Sequence, residues 1–142
     1  MKKLVQWYSN STIFIKLSPF LCLYVFLAGL LSTTGFKGDE GRYIYFANNI
    51  LKGFYSPPYP DINLWNGPGY PLIVSLFLLL KLPLISLKIL NATLLYFSLV
   101  LFYKTAVFYL SPKRAFLFSI LLGLYFPVYE MLPLILTECL AW

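Results

Sequence analysis

From Leu17 to Phe36 the chain runs twenty residues without a charged side chain. In a helix twenty residues reach about 30 Å, the thickness of a bilayer's hydrocarbon core, so the run reads as a transmembrane helix. A secretory signal peptide is the competing reading, because Lys2, Lys3 and Lys16 precede the run with no acid among the first sixteen residues. The run is long for that role, and no clear small-x-small cleavage site closes it. Composition points the same way: of 142 residues, 60% are hydrophobic and 11% charged, with a mean hydropathy of +0.76. A soluble domain averages about 25% charged residues, and one core of this size could not hide so much apolar surface. An ordinary cytosolic enzyme and a disordered chain are both excluded. The net charge is +6, but the bases sit at the edges of apolar runs, which is the pattern of membrane topology and not of a nucleic-acid partner.

Cys22 and Cys139 both fall inside apolar runs, and no disulfide framework can be read from them. The chain has no histidine, and neither CxxC nor HExxH occurs, which removes imidazole chemistry and the usual zinc sites. Any chemistry falls to carboxylates, of which there are five: Asp39, Glu40, Asp61, Glu130 and Glu138.

The expected fold is an all-α integral membrane protein with about three transmembrane helices plus juxtamembrane amphipathic helices. Residues 1–16 form an N-terminal segment on the cytoplasmic side and 17–36 the first span. Residues 37–83 form an extracytoplasmic loop whose first part, Asp39 to Gly53, reads as an amphipathic helix. There Tyr43, Phe46, Ala47, Ile50 and Leu51 share one face while Arg42, Tyr45, Asn49 and Lys52 lie opposite. Gly53 supplies the stop. Pro57, Pro58, Pro60 and Pro68 then predict an extended, aromatic-bearing stretch. The GPGYP run, Gly67 to Pro71, reads as a rigid turn launching a short helix with Pro71 in its first turn. Glycines there also let backbone amides approach a phosphate, although no Walker-type lysine follows. Residues 84–103 form the second span, 104–114 a cytoplasmic loop, 115–129 the third span, and 130–142 an extracytoplasmic segment beginning an incomplete fourth helix. The uncharged run at 71–80 is short for a span. If it does not cross, Lys2, Lys3, Lys16, Lys104, Lys113 and Arg114 all share the cytoplasmic side, as the positive-inside rule prefers. Asp39, Glu40 and Glu138 then share the other. Asn10 and Asn91 begin N-x-S/T sequons, but one is expected in the cytoplasm and the other inside a span.

Asp39 and Glu40 follow the first span at a bilayer boundary, where a general base would meet the head group of a lipid-linked substrate. The plain alternative is that Asp39 is an N-cap and Glu40 complements the helix dipole. Glu138 sits in an apolar run, either as a functional carboxylate facing a cavity or as an interfacial one just outside the membrane. Arg42 can pair with phosphate or form part of a solvated stripe.

The runs GDEGRYIYFANNILKGF at 38–54, NGPGYPLIVSLFLLLKL at 66–82, SLKILNATLLYFSLVLFY at 86–103, KRAFLFSILLGLYFP at 113–127 and LPLILTECL at 132–140, in this order, resemble a family. It is the polyprenol-phosphate-dependent membrane glycosyltransferases of the GT-C fold, which include protein O-mannosyltransferases and the aminoarabinose transferase of lipid A. The resemblance covers the N-terminal third of a family member, so the chain is expected to be the N-terminal part of a longer protein. It implies inverting transfer of a sugar from a polyprenyl-phosphate donor to an acceptor hydroxyl on the extracytoplasmic side. It also implies Asp39 as the base, Glu40 completing an acidic pair and Glu138 at a second acidic position, with Arg42, Tyr43 and Tyr70 as substrate contacts. The implied partners are membrane lipid and the lipid-linked donor; no metal ligand set is assigned, and a divalent metal stays open. A small non-catalytic membrane protein, or an inactive remnant of such an enzyme, is the alternative function.

Overall fold

A computed structural model describes residues 11–32, 35–64 and 67–135, which form six helices and no strand. They are α1 (Ile13–Leu30), α2 (Glu40–Leu51), α3 (Gly69–Leu79), α4 (Ile85–Ala106), α5 (Pro112–Gly123) and α6 (Phe126–Met131). The all-α expectation holds for these residues. Two of the helices, α1 and α4, are long and apolar enough to cross a membrane.

α1 and α4 lie side by side and antiparallel. At one end, here the lower, Tyr96 donates its hydroxyl to the Phe14 carbonyl at 2.7 Å and the Lys104 ammonium stands 5.0 Å over the Phe14 ring. At the upper end Lys88 Nζ donates to Ser32 Oγ at 2.7 Å. Helical spacing aligns Leu17, Tyr24 and Ala28 on α1 against Ala92, Leu95, Leu99 and Val100 on α4, and Val128 and Leu132 complete that core. Truncating a fully buried leucine such as Leu99 would cost about 2–5 kcal/mol. Pro19 interrupts α1 by removing the N–H that would reach the Ile15 carbonyl. The Ser18 hydroxyl donates to that same carbonyl at 2.9 Å and repairs the gap.

The charge-free stretch expected as a third span is not one helix. α5 stops at Gly123, the chain turns through Leu124 and Tyr125, and α6 restarts at Phe126. Pro127 is the physical reason: it has no N–H to give, and its ring would strike the carbonyl of residue 123 in a continuous helix. The Gly123 carbonyl freed by the break accepts two phenol hydroxyls, from Tyr24 at 2.9 Å and from Tyr129 at 2.8 Å. A Cβ at this position would meet the Phe20 ring at 2.7 Å, so glycine permits the close pass of α5 over α1. The stretch nevertheless climbs from the lower end, at Pro112, to the upper end, where the Leu134 carbonyl reaches Asn91.

α2 and α3 pack on each other at the upper end, with Tyr43, Ala47, Tyr70 and Val74 gathered against Leu87 of α4 and Ile135. α2 ends as expected at Gly53, whose φ of +91° suits only glycine. There Gly53 N bonds Ile50 O at 3.0 Å and Phe54 N bonds Asn49 O at 3.1 Å, a Schellman closure. One position of the expected face is corrected: Asn49, expected on the polar side, is 3% exposed. The cause is the loop after Gly53, which folds back over α2: Asn49 Nδ2 donates to the Tyr55 carbonyl at 3.2 Å, and the Tyr55 ring stacks on Phe46 with centroids 4.7 Å apart. Residues 55–64 are non-helical, in keeping with their prolines. α3 has 11 residues, about 16 Å of helix and short of a hydrocarbon core.

Candidate functional site

The upper end of the bundle gathers the end of α1, the starts of α2 and α4, and the segment after α6. Asp39 occupies the N-cap position of α2, and its carbonyl accepts the N–H groups of Arg42 and Tyr43, each at 3.0 Å. Its side chain makes no capping bond. The carboxylate pairs instead with Arg42, Oδ1 to Nη2 at 2.8 Å, one turn along the helix, and both side chains are more than two-fifths exposed. The capping role read from sequence therefore reduces to backbone geometry, and the carboxylate faces outward.

Glu40 is placed quite differently. It is 2% exposed, with Oε2 accepting the Lys37 N–H at 2.7 Å and Oε1 accepting the Ile135 N–H at 2.8 Å. It thus clasps the start of α2 to the chain that leaves α6. Asp39 and Glu40 are adjacent in sequence, yet only one offers its carboxylate to solvent.

Arg42 also lines an open groove of about 490 Å³ with Asp61, Ile62, Asn63 and Leu64. Tyr43 and Tyr70 lie inside the packing, 5% and 3% exposed, edge to face with centroids 5.2 Å apart. Asn91 Nδ2 donates to the Tyr70 oxygen at 3.1 Å and to the Leu134 carbonyl at 3.2 Å. These two tyrosines belong to the buried cluster between α2 and α3. Burial raises the pKa of the Tyr55 phenol, and the Tyr43 phenol adds to the shift, so Tyr55 stays neutral at physiological pH.

A second, smaller cavity of about 150 Å³ lies beneath α2, lined in part by Ser32, Phe36, Glu40, Leu84, Ile85 and Lys88. Lys88 is 6% exposed. Sequence reasoning did not single out this lysine as a buried cation. The available signal was register: Lys88, Asn91, Ala92 and Leu95 recur at i, i+3, i+4 and i+7, which puts the lysine on the packed stripe of α4.

Asp61 and Glu130 are exposed. Glu138 lies outside the described residues, so the structure does not place the second acidic position. Among the described residues no three cysteine, aspartate or glutamate side chains gather as a metal site would require. No model of a known protein family, no curated protein and no solved structure matches the chain.

Proposed function

We propose that the chain is the membrane-embedded N-terminal part of a glycosyltransferase, multi-pass in the cell or inner membrane. It transfers a sugar from a polyprenyl-phosphate donor to an acceptor hydroxyl on the extracytoplasmic side. Membrane residence is supported by the outward faces of α1 and α4, where Phe26, Leu30, Phe97 and Leu101 are all exposed and would need lipid to cover them. The observation that carries the catalytic reading is Asp39: an accessible carboxylate, steadied by Arg42, at the end of the helix pair and beside an open polar groove.

In this reading the acceptor hydroxyl gives its proton to the Asp39 carboxylate as its oxygen attacks the anomeric carbon. The bond from that carbon to the phosphate oxygen breaks, configuration inverts, and the phosphate leaves with the electron pair. Arg42 orients the base and adds positive charge near the leaving group. Glu40 holds the turn that presents Asp39, because both of its oxygens are already engaged by backbone amides.

The test is turnover of radiolabelled polyprenyl-phosphate sugar in proteoliposomes. Asp39→Asn keeps size but cannot accept the proton, so turnover should fall by about 10²-fold or more, with the melting temperature unchanged. Wild-type turnover in that variant overturns the assignment. A non-catalytic membrane protein is the second reading, favoured by the burial of Glu40, Tyr43 and Tyr70 in structural roles; it requires Asp39→Asn to be silent in every assay.

A further inference from the structure

We propose that the cavity beneath α2 binds the phosphoryl group of a membrane phospholipid, held by the Lys88 ammonium. The proposal rests on membrane residence and is independent of glycosyl transfer.

A lysine ammonium carries three N–H donors, and the Ser32 hydroxyl takes one of those on Lys88. Burying the charge is costly unless a counter-charge and further acceptors reach it. Glu40 lines the same cavity and keeps its negative charge, but its two oxygens accept the amides of Lys37 and Ile135, and among the described residues no ion pair joins it to Lys88. The first turn of α4, at Leu84 and Ile85, forms another part of the wall and adds the positive end of a 22-residue helix. A phosphoryl group meets these demands, since it supplies a negative charge and several acceptor oxygens to the remaining ammonium N–H groups. About 150 Å³ is the room of roughly five waters, enough for a tetrahedral phosphoryl group and too little for a bulky ligand.

Position argues for a lipid over a free ion. Lys88 is three residues into α4, about 5 Å below the first residue of the helix, which is head-group depth if α4 spans. The walls beside the charge are apolar, formed by Phe36, Leu84 and Ile85. Phe36 is 57% exposed, so apolar surface continues outward along the path a glycerol and its acyl chains would take.

The experiment is native mass spectrometry of the chain released from liposomes of digalactosyldiacylglycerol, a matrix without phosphorus, containing either phosphatidylglycerol or diacylglycerol, which lacks the phosphoryl group. The wild type should retain phosphatidylglycerol and not diacylglycerol. Lys88→Gln should retain about tenfold less. Ile85→Trp, which fills the cavity and leaves Lys88 in place, should lose the lipid as well and guards against a folding defect in the first variant. Lys113→Gln, at the lower end, should behave as wild type. Equal retention by Lys88→Gln and wild type, or equal retention of the two lipids, overturns the proposal. Displacement of the lipid by millimolar inorganic phosphate assigns the cavity to a free ion and overturns the lipid assignment. Flotation with the liposomes separates the two levels: a chain that fails to float refutes membrane residence, whereas a floating chain without phosphoryl-dependent retention refutes the lipid site alone.

Discussion

The turn that starts α2 sends the Asp39 carboxylate out to Arg42 and the Glu40 carboxylate in to two backbone amides. These placements predict different responses to truncation. Glu40→Ala strands two N–H groups, one of them on Ile135, which is 1% exposed. A lost bond to a charged acceptor with the donor left buried costs about 1–3 kcal/mol, so the loss should be about 2–4 kcal/mol. Glu40→Gln keeps one acceptor oxygen of two and should fall between that value and wild type. Asp39→Ala breaks an exposed ion pair, worth about 0–1 kcal/mol. Thermal or denaturant unfolding of the three variants checks the order, and equal losses at 39 and 40 would contradict the clasp. Sequence adjacency made the acidic pair visible. It could not reveal the division of labour, because the partner that buries Glu40 is 95 positions away.

At the scale of elements, spacing located α2 almost to the residue, since an apolar stripe and a terminal glycine are local signals. The error at Asn49 arose where a loop folds back, which spacing does not encode. The expected continuous helix at 115–129 is broken for a related reason: a run without charge reports solvent preference, while the break at Gly123 is a backbone matter governed by Pro127 and two tyrosine hydroxyls. α3 carries a comparable backbone device. It closes with Lys81 at a φ of +53°, where Lys81 N bonds Leu78 O and Leu82 N bonds Phe77 O, each at 3.0 Å. α2 uses Gly53 in the equivalent place, and a side chain in that conformation costs roughly 1–2 kcal/mol. Lys81→Gly should therefore raise stability by up to about 1 kcal/mol after the extra backbone entropy of glycine is subtracted. A lower melting temperature in Lys81→Gly would mean that the lysine side chain makes a compensating contact.

For the whole molecule, the antiparallel pairing of α1 and α4 fixes which segments share an end. Phe14 meets Tyr96 and Lys104, and Ser32 meets Lys88, so everything between residues 32 and 84 enters and leaves at the upper end. The broken α5–α6 pass then returns the chain to that same end, where the Ile135 N–H meets Glu40. If α1 and α4 span a bilayer, the bases Lys104, Lys113 and Arg114 sit below it and Asp39, Asp61 and the groove sit above. Charge favours placing that lower end in the cytoplasm through the positive-inside rule; the hydrogen bonds bear on which segments share an end, because they depend on packing and not on the distribution of lysines. The expected outcome is that, on a background lacking Cys22 and Cys139, Asp61→Cys is labelled by a membrane-impermeant thiol reagent on intact cells and Lys113→Cys is labelled only after permeabilisation. Labelling of both positions from outside would place the 104–114 loop with the groove, which the contacts at Phe14 and Ser32 do not allow for two spanning helices, whereas labelling of position 113 alone from outside would invert the orientation and overturn the positive-inside assignment.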